Sequence, residues 1–170
     1  MLVRPRQFGT VAALAIGLAF PQVVAEAQRD PDDRARIVGS WRIVSYELEF
    51  QDGSEHRFPL GMHPNGYLVF SSDGRMMAYL EAAGRKAPQT DEERSAAYKT
   101  LNAYTGKYRV EGDKWITKVD AAWNVEWLGI DQERFFTLSG NRLNVVAQWN
   151  RNALYGGEIT RGHLTFERET

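Results

Sequence analysis

Short segments in which apolar and polar residues alternate run from residue 41 to the end of the chain. Alternation of period two is typical of β-strands that bury one face. Turn signals such as Asp52-Gly53 and Gly140-Asn141 supply the positive φ of tight hairpins. They recur about every 8–12 residues, a spacing typical of β-sandwiches and β-barrels. Eight strands are predicted, at residues 41–50, 66–71, 75–81, 104–110, 114–123, 131–138, 142–149 and 158–168.

The first and last predicted strands indicate how the sheet ends. Trp41 lies at the start of the first strand and Arg168 at the end of the last. These two side chains can meet only if the sheet closes on itself. We therefore predict an all-β fold, an eight-stranded antiparallel up-and-down barrel with room for one ligand.

One segment between the third and fourth strands departs from this pattern. Thr90 and Glu93 form the sequence of a capping box. Behind them, Ala97, Leu101 and Tyr104 recur at helical spacing, which predicts a helix of about 12 residues. An Ala/Leu stripe favours a helix that packs on the barrel over a lid at its mouth.

The inward face of each strand is the one without charges, because successive side chains point to opposite faces. In the strand 114–123, Ala121 is predicted to point inward. In the strand 75–81, the charges of Arg75 and Glu81 place the face that carries Met77 on the outside. In the strand 66–71 both faces are apolar, so its orientation is undecided. Trp123 and Trp127 are placed near a rim. The predicted ligand-binding residues are Tyr104, Tyr108, Trp115, Thr117, Val119, Trp123, Trp127, Val145, Ala147, Trp149 and Phe166.

The predicted interior is therefore rich in aromatic rings. Apolar cavities with a few hydroxyl and indole donors suit small hydrophobic or aromatic molecules. The same rings are also large enough to fill an eight-stranded barrel, so a hollow and a filled interior both remain open.

Glu47 is a candidate for chemistry inside the barrel. It shares the parity of Trp41, so an unbroken first strand points its carboxylate inward. A buried carboxylate has a raised pKa and can act as a general acid or base. The apolar residues on the opposite parity, Tyr46 and Leu48, favour instead a β-bulge that leaves Glu47 in water.

Arg134 is the second candidate, either as an anchor for an anionic group of a ligand or as a solvated strand residue. The three histidines, His56, His63 and His163, have no metal-ligand spacing. We predict no metal and no cofactor, and we assign no catalytic residue beyond these two candidates.

The first 27 residues predict an export signal. Arg4 and Arg6 precede an apolar run at 11–20, and Ala25-Glu26-Ala27 is a small-x-small cleavage site. The apolar run is too short for a membrane span, which needs about 20 residues. We expect residues 28–36 to be a flexible lead-in and 37–170 to be the barrel domain of a periplasmic or secreted protein.

The charge and the cysteine content limit which binding partners and which kinds of covalent chemistry are expected. Without Arg4, Arg6 and Glu26, the exported part has 19 basic and 21 acidic residues. This near balance disfavours nucleic acid and anionic membranes, which select basic surfaces. The chain has no Cys, which excludes a thiol nucleophile, a disulfide and a lipid anchor on Cys.

Several motifs along the chain resemble one family. Gly39-Ser40-Trp41 resembles the G-x-W signature of lipocalins, and 64–70 with 73–76 is similar to the paired-hairpin signature of a bacterial and fungal lipocalin-like (calycin) branch. Residues 127–135 and the closing Phe166-Glu167-Arg168 also resemble it. The resemblance implies that Arg168 stacks on Trp41 and closes the barrel, with Gly39 beside them. Lys118 stands where relatives often carry His, so histidine chemistry is not expected here.

These observations favour an exported soluble protein that binds a small hydrophobic or aromatic molecule. A barrel enzyme of the isomerase or cyclase type is the first alternative. The second is a protein-interaction module with a filled barrel, which exposed Trp123 and Trp127 would suit.

Overall fold

The computed structural model describes residues 33–54, 56–152 and 155–169. The predicted export signal lies outside the described residues, as does most of the predicted lead-in. No helix in the described ranges has the length and apolar character needed to cross a membrane.

Strands dominate the described chain. Two α-helices and the 3-10 turn Val125–Trp127 accompany them in the described ranges. The helices are α1, Asp33–Ile37, and α2, Asp91–Lys99. The strands are β1 Gly39–Phe50, β2 Asn65–Phe70, β3 Arg75–Glu81, β4 Leu101–Glu111, β5 Lys114–Ala122, β6 Asp131–Ser139, β7 Arg142–Ala147, β8 Asn150–Asn152 and β9 Glu158–Arg168.

Eight of these strands form a closed antiparallel barrel, as predicted. Each strand from β1 to β6 pairs with the next, β7 pairs with β9, and β9 pairs with β1. The short β8 is an addition to the prediction. It pairs with Glu158–Thr160 of β9, whereas β7 pairs with the later part of that strand. The predicted strand 142–149 is thus interrupted after Ala147 and resumes at Asn150.

One end of the barrel is closed by Trp41 and Arg168, which are direct register partners. The guanidinium carbon of Arg168 lies 4.1 Å from the Trp41 ring centroid, so the predicted stacking is confirmed. Arg168 Nη1 also donates to the Val38 carbonyl at 2.8 Å. Gly39 has φ 131° there, and a Cβ on it would lie 2.7 Å from Arg168 Nη1.

The end of the predicted lead-in, residues 33–36, is helical. Ile37, the last residue of α1, is fully buried, and its carbonyl accepts a 2.8 Å hydrogen bond from Trp41 Nε1. Arg168 Nη2 donates to the Arg36 carbonyl. These contacts hold α1 against the closed end of the barrel.

Aromatic rings fill the closed half of the barrel. Phe70 contacts Tyr108 and Trp115 edge to face, with ring centroids 5.0 and 5.1 Å apart. Trp115 in turn lies 5.6 Å from Phe136. Any open space must therefore lie on the other side of this layer.

Helix α2 begins as predicted but is shorter. The capping box at Thr90 is present, with Glu93 N donating to Thr90 Oγ1 at 3.2 Å. Leu101 and Tyr104 are not helical, because β4 starts by pairing Leu101 with Glu81 of β3. No side chain of α2 is buried, which contradicts the prediction of a packing helix.

Candidate functional site

The open half of the barrel contains a cavity of about 470 Å³. Its apolar wall is formed by inward-facing residues of several strands, among them Leu48, Leu68, Leu80 and Val145. Trp115 and Phe166 lie at its floor. A volume of this size is in the range of pockets for small ligands, so the barrel is hollow rather than filled.

Seven of the eleven predicted ligand-binding residues line this cavity. They are Tyr104, Trp115, Trp123, Trp127, Val145, Ala147 and Phe166. The lining does not include the other four. Tyr108 packs on Phe70, its hydroxyl donating to the Ser71 carbonyl at 3.2 Å. Thr117 and Val119 are buried in the core.

Trp149 lies away from the cavity because β7 ends at Ala147, where the alternation of its side chains also ends. The Arg161 guanidinium covers the Trp149 ring, 4.5 Å from its centroid. Trp149 is therefore not among the residues that line the cavity.

A bulge in β5 corrects a predicted orientation. Gly106 of β4 pairs with Val119, and Thr105 pairs with Ala121, so Asp120 is an extra residue in the ladder. The extra residue shifts the alternation by one. Ala121 is exposed instead of facing inward, and Ala122 packs against the core.

A bulge in β1 decides the position of Glu47. Ile43 pairs with Phe166 and Ser45 with Thr165, which leaves Val44 unpaired. Beyond this point the alternation is reversed, so Tyr46 and Leu48 line the cavity. Glu47 points outward, and its Oε1 is hydrogen-bonded to His56 Nδ1. Glu47 is therefore outside the cavity, which agrees with the predicted alternative in which a β-bulge leaves its carboxylate in water.

Tyr46 is one of several cavity residues that are absent from the predicted ligand-binding set. Burial raises the pKa of its hydroxyl to about 12, although the charge of Arg134 opposes this shift. Tyr46 is thus a neutral hydrogen-bond donor at physiological pH. Its ring lies on Gly162 of β9, where a Cβ would be 2.9 Å from Tyr46 Cε2. The sequence signal for this placement was Leu48, the apolar residue two positions along β1, which lies on the same face of the strand as Tyr46.

Arg134 of β6 also lines the cavity. It alternates with Gln132 towards the mouth and Phe136 towards the aromatic layer, so it lies at mid-depth. Its Nη1 donates to the Glu133 carbonyl at 2.8 Å. Within the described ranges, no carboxylate forms an ion pair with it.

The charged groups of the cavity wall are mostly basic. Besides Arg134, the described lining contains Arg151, Arg161 and one acid, Glu126, which is exposed. Arg161 is neutralised by Glu49, at 2.5 Å, a contact that lowers the pKa of that carboxyl. The cavity is therefore positive although the whole chain has a formal charge of −1.

Aromatic side chains surround the mouth. The rings of Trp123 and Trp127 are perpendicular, with centroids 5.1 Å apart, and Tyr104 lies 5.3 Å from Trp127. Tyr98 of α2 donates to the Trp123 carbonyl at 2.8 Å, and Trp123 Nε1 donates to the Tyr98 carbonyl at 3.2 Å. Helix α2 is thus attached to the mouth by two reciprocal hydrogen bonds.

Two polar atoms in the wall have no hydrogen-bond partner in the part of the chain that is described. They are Trp115 Nε1 and Asn102 Oδ1, both of which are buried. A buried polar atom without a partner costs free energy, and neither of these atoms has surface that is accessible from the cavity. The described residues contain no cluster of three or more side chains suited to hold a metal ion.

The comparison with protein families agrees with this architecture. A family model described as a lipocalin-like domain matches residues 38–169. No curated protein matches the sequence. A crystal structure of an uncharacterized protein from Bacteroides eggerthii is 13% identical, with a TM-score of 0.38, and the match covers 78% of this chain and 99% of that one.

Proposed function

Because the chain belongs to the lipocalin-like domain family, we propose that it binds a small hydrophobic or aromatic molecule in its barrel. The observation that supports this is the cavity of about 470 Å³ with an apolar wall and an aromatic mouth. Burial of apolar surface contributes roughly 25 cal/mol per Å². A ligand of about ten carbons can therefore bind through this wall alone.

Binding without chemistry agrees best with the groups that face the cavity. The single carboxylate in the described lining, Glu126, is exposed at the rim beside Asn124. General acid–base catalysis needs a donor and an acceptor positioned at the reacting atoms. With Glu47 outside the barrel, the described lining offers no enclosed carboxylate to an isomerase or cyclase.

We also propose that the protein is exported to the periplasm or beyond the cell. The support is the sequence of residues 1–27, in which a basic start, an apolar run and a cleavage site follow one another. N-terminal sequencing of the protein from its own host should begin at residue 28. Recovery of the intact N-terminus from the cytoplasm would contradict this.

The uncharged fluorescent probe N-phenyl-1-naphthylamine tests the binding proposal. We expect its emission to rise on addition of the protein, with a stoichiometry of one. Ala147→Trp places a large ring in the cavity and should abolish this rise. Ala121→Trp adds the same ring on the exposed face of β5 and should leave the rise intact.

A probe signal that is absent, or that is equal in the two tryptophan variants, would contradict binding inside the barrel. The thermal unfolding midpoint of each variant shows whether it has folded. Mass spectrometry of the recovered probe and of any ligand purified with the protein shows whether the molecule leaves unchanged.

A further inference from the structure

We propose that the ligand carries a carboxylate, and that Arg134 and Tyr46 bind this group at mid-depth in the cavity. This inference rests on the proposed binding function and adds the chemical class of the ligand. Nothing in the apolar wall alone requires a charge, so the inference depends on these two side chains.

The first observation concerns the charge of Arg134. A guanidinium stays protonated in proteins, so it cannot escape the cost of burial by releasing a proton. Several outward arginines have carboxylate partners, for example Arg75 with Asp120 at 2.8 Å and Arg109 with Glu111 at 2.7 Å. Arg134 is half-buried, and its hydrogen-bond partner among the described residues is the Glu133 carbonyl, at 2.8 Å. A ligand anion supplies the missing counter-charge.

The second observation concerns the Tyr46 hydroxyl. It forms no hydrogen bond with any residue in the described ranges. The Tyr46 ring packs on Gly162, and Tyr46 is a residue of the cavity lining. The hydroxyl is therefore directed towards the cavity. A guanidinium and a neutral phenol together offer several donors to one anion, and such charge-assisted hydrogen bonds are the strong ones.

The depth of Arg134 indicates how the ligand is oriented. Below it, Phe136 and Trp115 belong to the packed aromatic layer and leave no room for a chain. Above it, the cavity opens towards Trp123 and Trp127. The anionic group therefore enters first, and the apolar part extends towards the mouth. Arg151, the other lining arginine without a carboxylate partner among the described residues, is exposed. One half-buried arginine without a counter-charge suits a monoanionic carboxylate better than a phosphate dianion.

Matched acids and amides test this inference without any variant. Decanoate is compared with decanamide, and 2-naphthoate with 2-naphthamide, by isothermal titration calorimetry at pH 7.5. We expect each acid to bind at least about tenfold more tightly than its amide, the effect of one charge-assisted contact. Equal affinities for acid and amide would overturn the carboxylate site and leave the binding function intact.

Variants then locate the site. Arg134→Met should reduce the acid-to-amide ratio to about one. Arg109→Met removes the same charge from the outer face of β4 and should keep the wild-type ratio. Arg134→Lys preserves the charge if Arg134→Met does not fold, and should retain part of the ratio. A ratio that Arg134→Met leaves unchanged would overturn the role of Arg134. Failure of both acids and both amides to bind would contradict the binding function itself.

Discussion

Replacement of Arg168 by Met should destabilise the barrel strongly. The substitution keeps an apolar side chain over Trp41 but removes the cation that lies 4.1 Å from the ring centroid. A shielded cation–π contact contributes about 1–2 kcal/mol. The hydrogen bonds to the carbonyls of Val38 and Arg36 contribute about 0.5–1.5 kcal/mol each. We therefore expect a loss of about 3 kcal/mol in the free energy of unfolding.

Urea unfolding followed by tryptophan fluorescence measures this loss. The matched control is Arg42→Met, which removes an arginine from the same end of β1 and β9. The Arg42 side chain is 54% exposed and lies 3.4 Å from Glu169, so its loss should cost less than about 1 kcal/mol. Arg168→Lys should be intermediate, because one ammonium cannot replace the planar guanidinium. If Arg168→Met costs no more than Arg42→Met, the account of the closed end is wrong.

Three further predictions concern the cavity wall. Unfolded tyrosine ionises near pH 10 and Tyr46 near 12, so Tyr46 should contribute a fall of about 2 kcal/mol in the free energy of unfolding between pH 9 and 11.5. Tyr46→Phe should remove this contribution, while Tyr108 and Tyr155, whose pKa values burial also raises, keep part of the alkaline fall in place. An equal fall in both proteins would refute the contribution of Tyr46. Gly162→Ala should push the Tyr46 ring into the cavity and weaken decanoate and decanamide alike in calorimetry; unchanged affinities would contradict the contact. Hydrogen bonds from Arg161 and His163 lower the pKa of Glu49, so its contribution to stability is present above pH 4.5 and is lost as the pH falls further. Glu49→Gln should flatten the acid side of the stability profile, and an unaltered profile would count against this.

The barrel and its closure could be predicted from the sequence because they depend on local signals. Alternation marks the strands, and Trp41 and Arg168 mark the two edges that meet. The bulges at Val44 and Asp120 could not be placed in the same way. A bulge shifts every later side chain to the other face, yet it leaves no strong local sequence signal.

It was harder to predict which inward side chains fill the barrel and which line the cavity, because this also depends on strand register. Parity selects the inward residues, but only the register and the tilt of the strands decide whether their rings meet. Tyr108 fills the closed half, whereas Tyr104, four residues earlier on the same face of β4, lines the cavity. The orientation of Tyr46 depended wholly on the bulge at Val44.

The central claim is that a ligand occupies the open half of the barrel, and the five tryptophans test it directly. Their indole N–H groups give five separate signals in a ¹H–¹⁵N correlation spectrum. On titration with decanoate, we expect the signals of Trp115, Trp123 and Trp127 to shift, because these residues line the cavity. Those of Trp41, at the closed end, and of Trp149, under Arg161, should stay in place. Shifts confined to Trp41 and Trp149, or no shifts at saturating decanoate, would contradict the account.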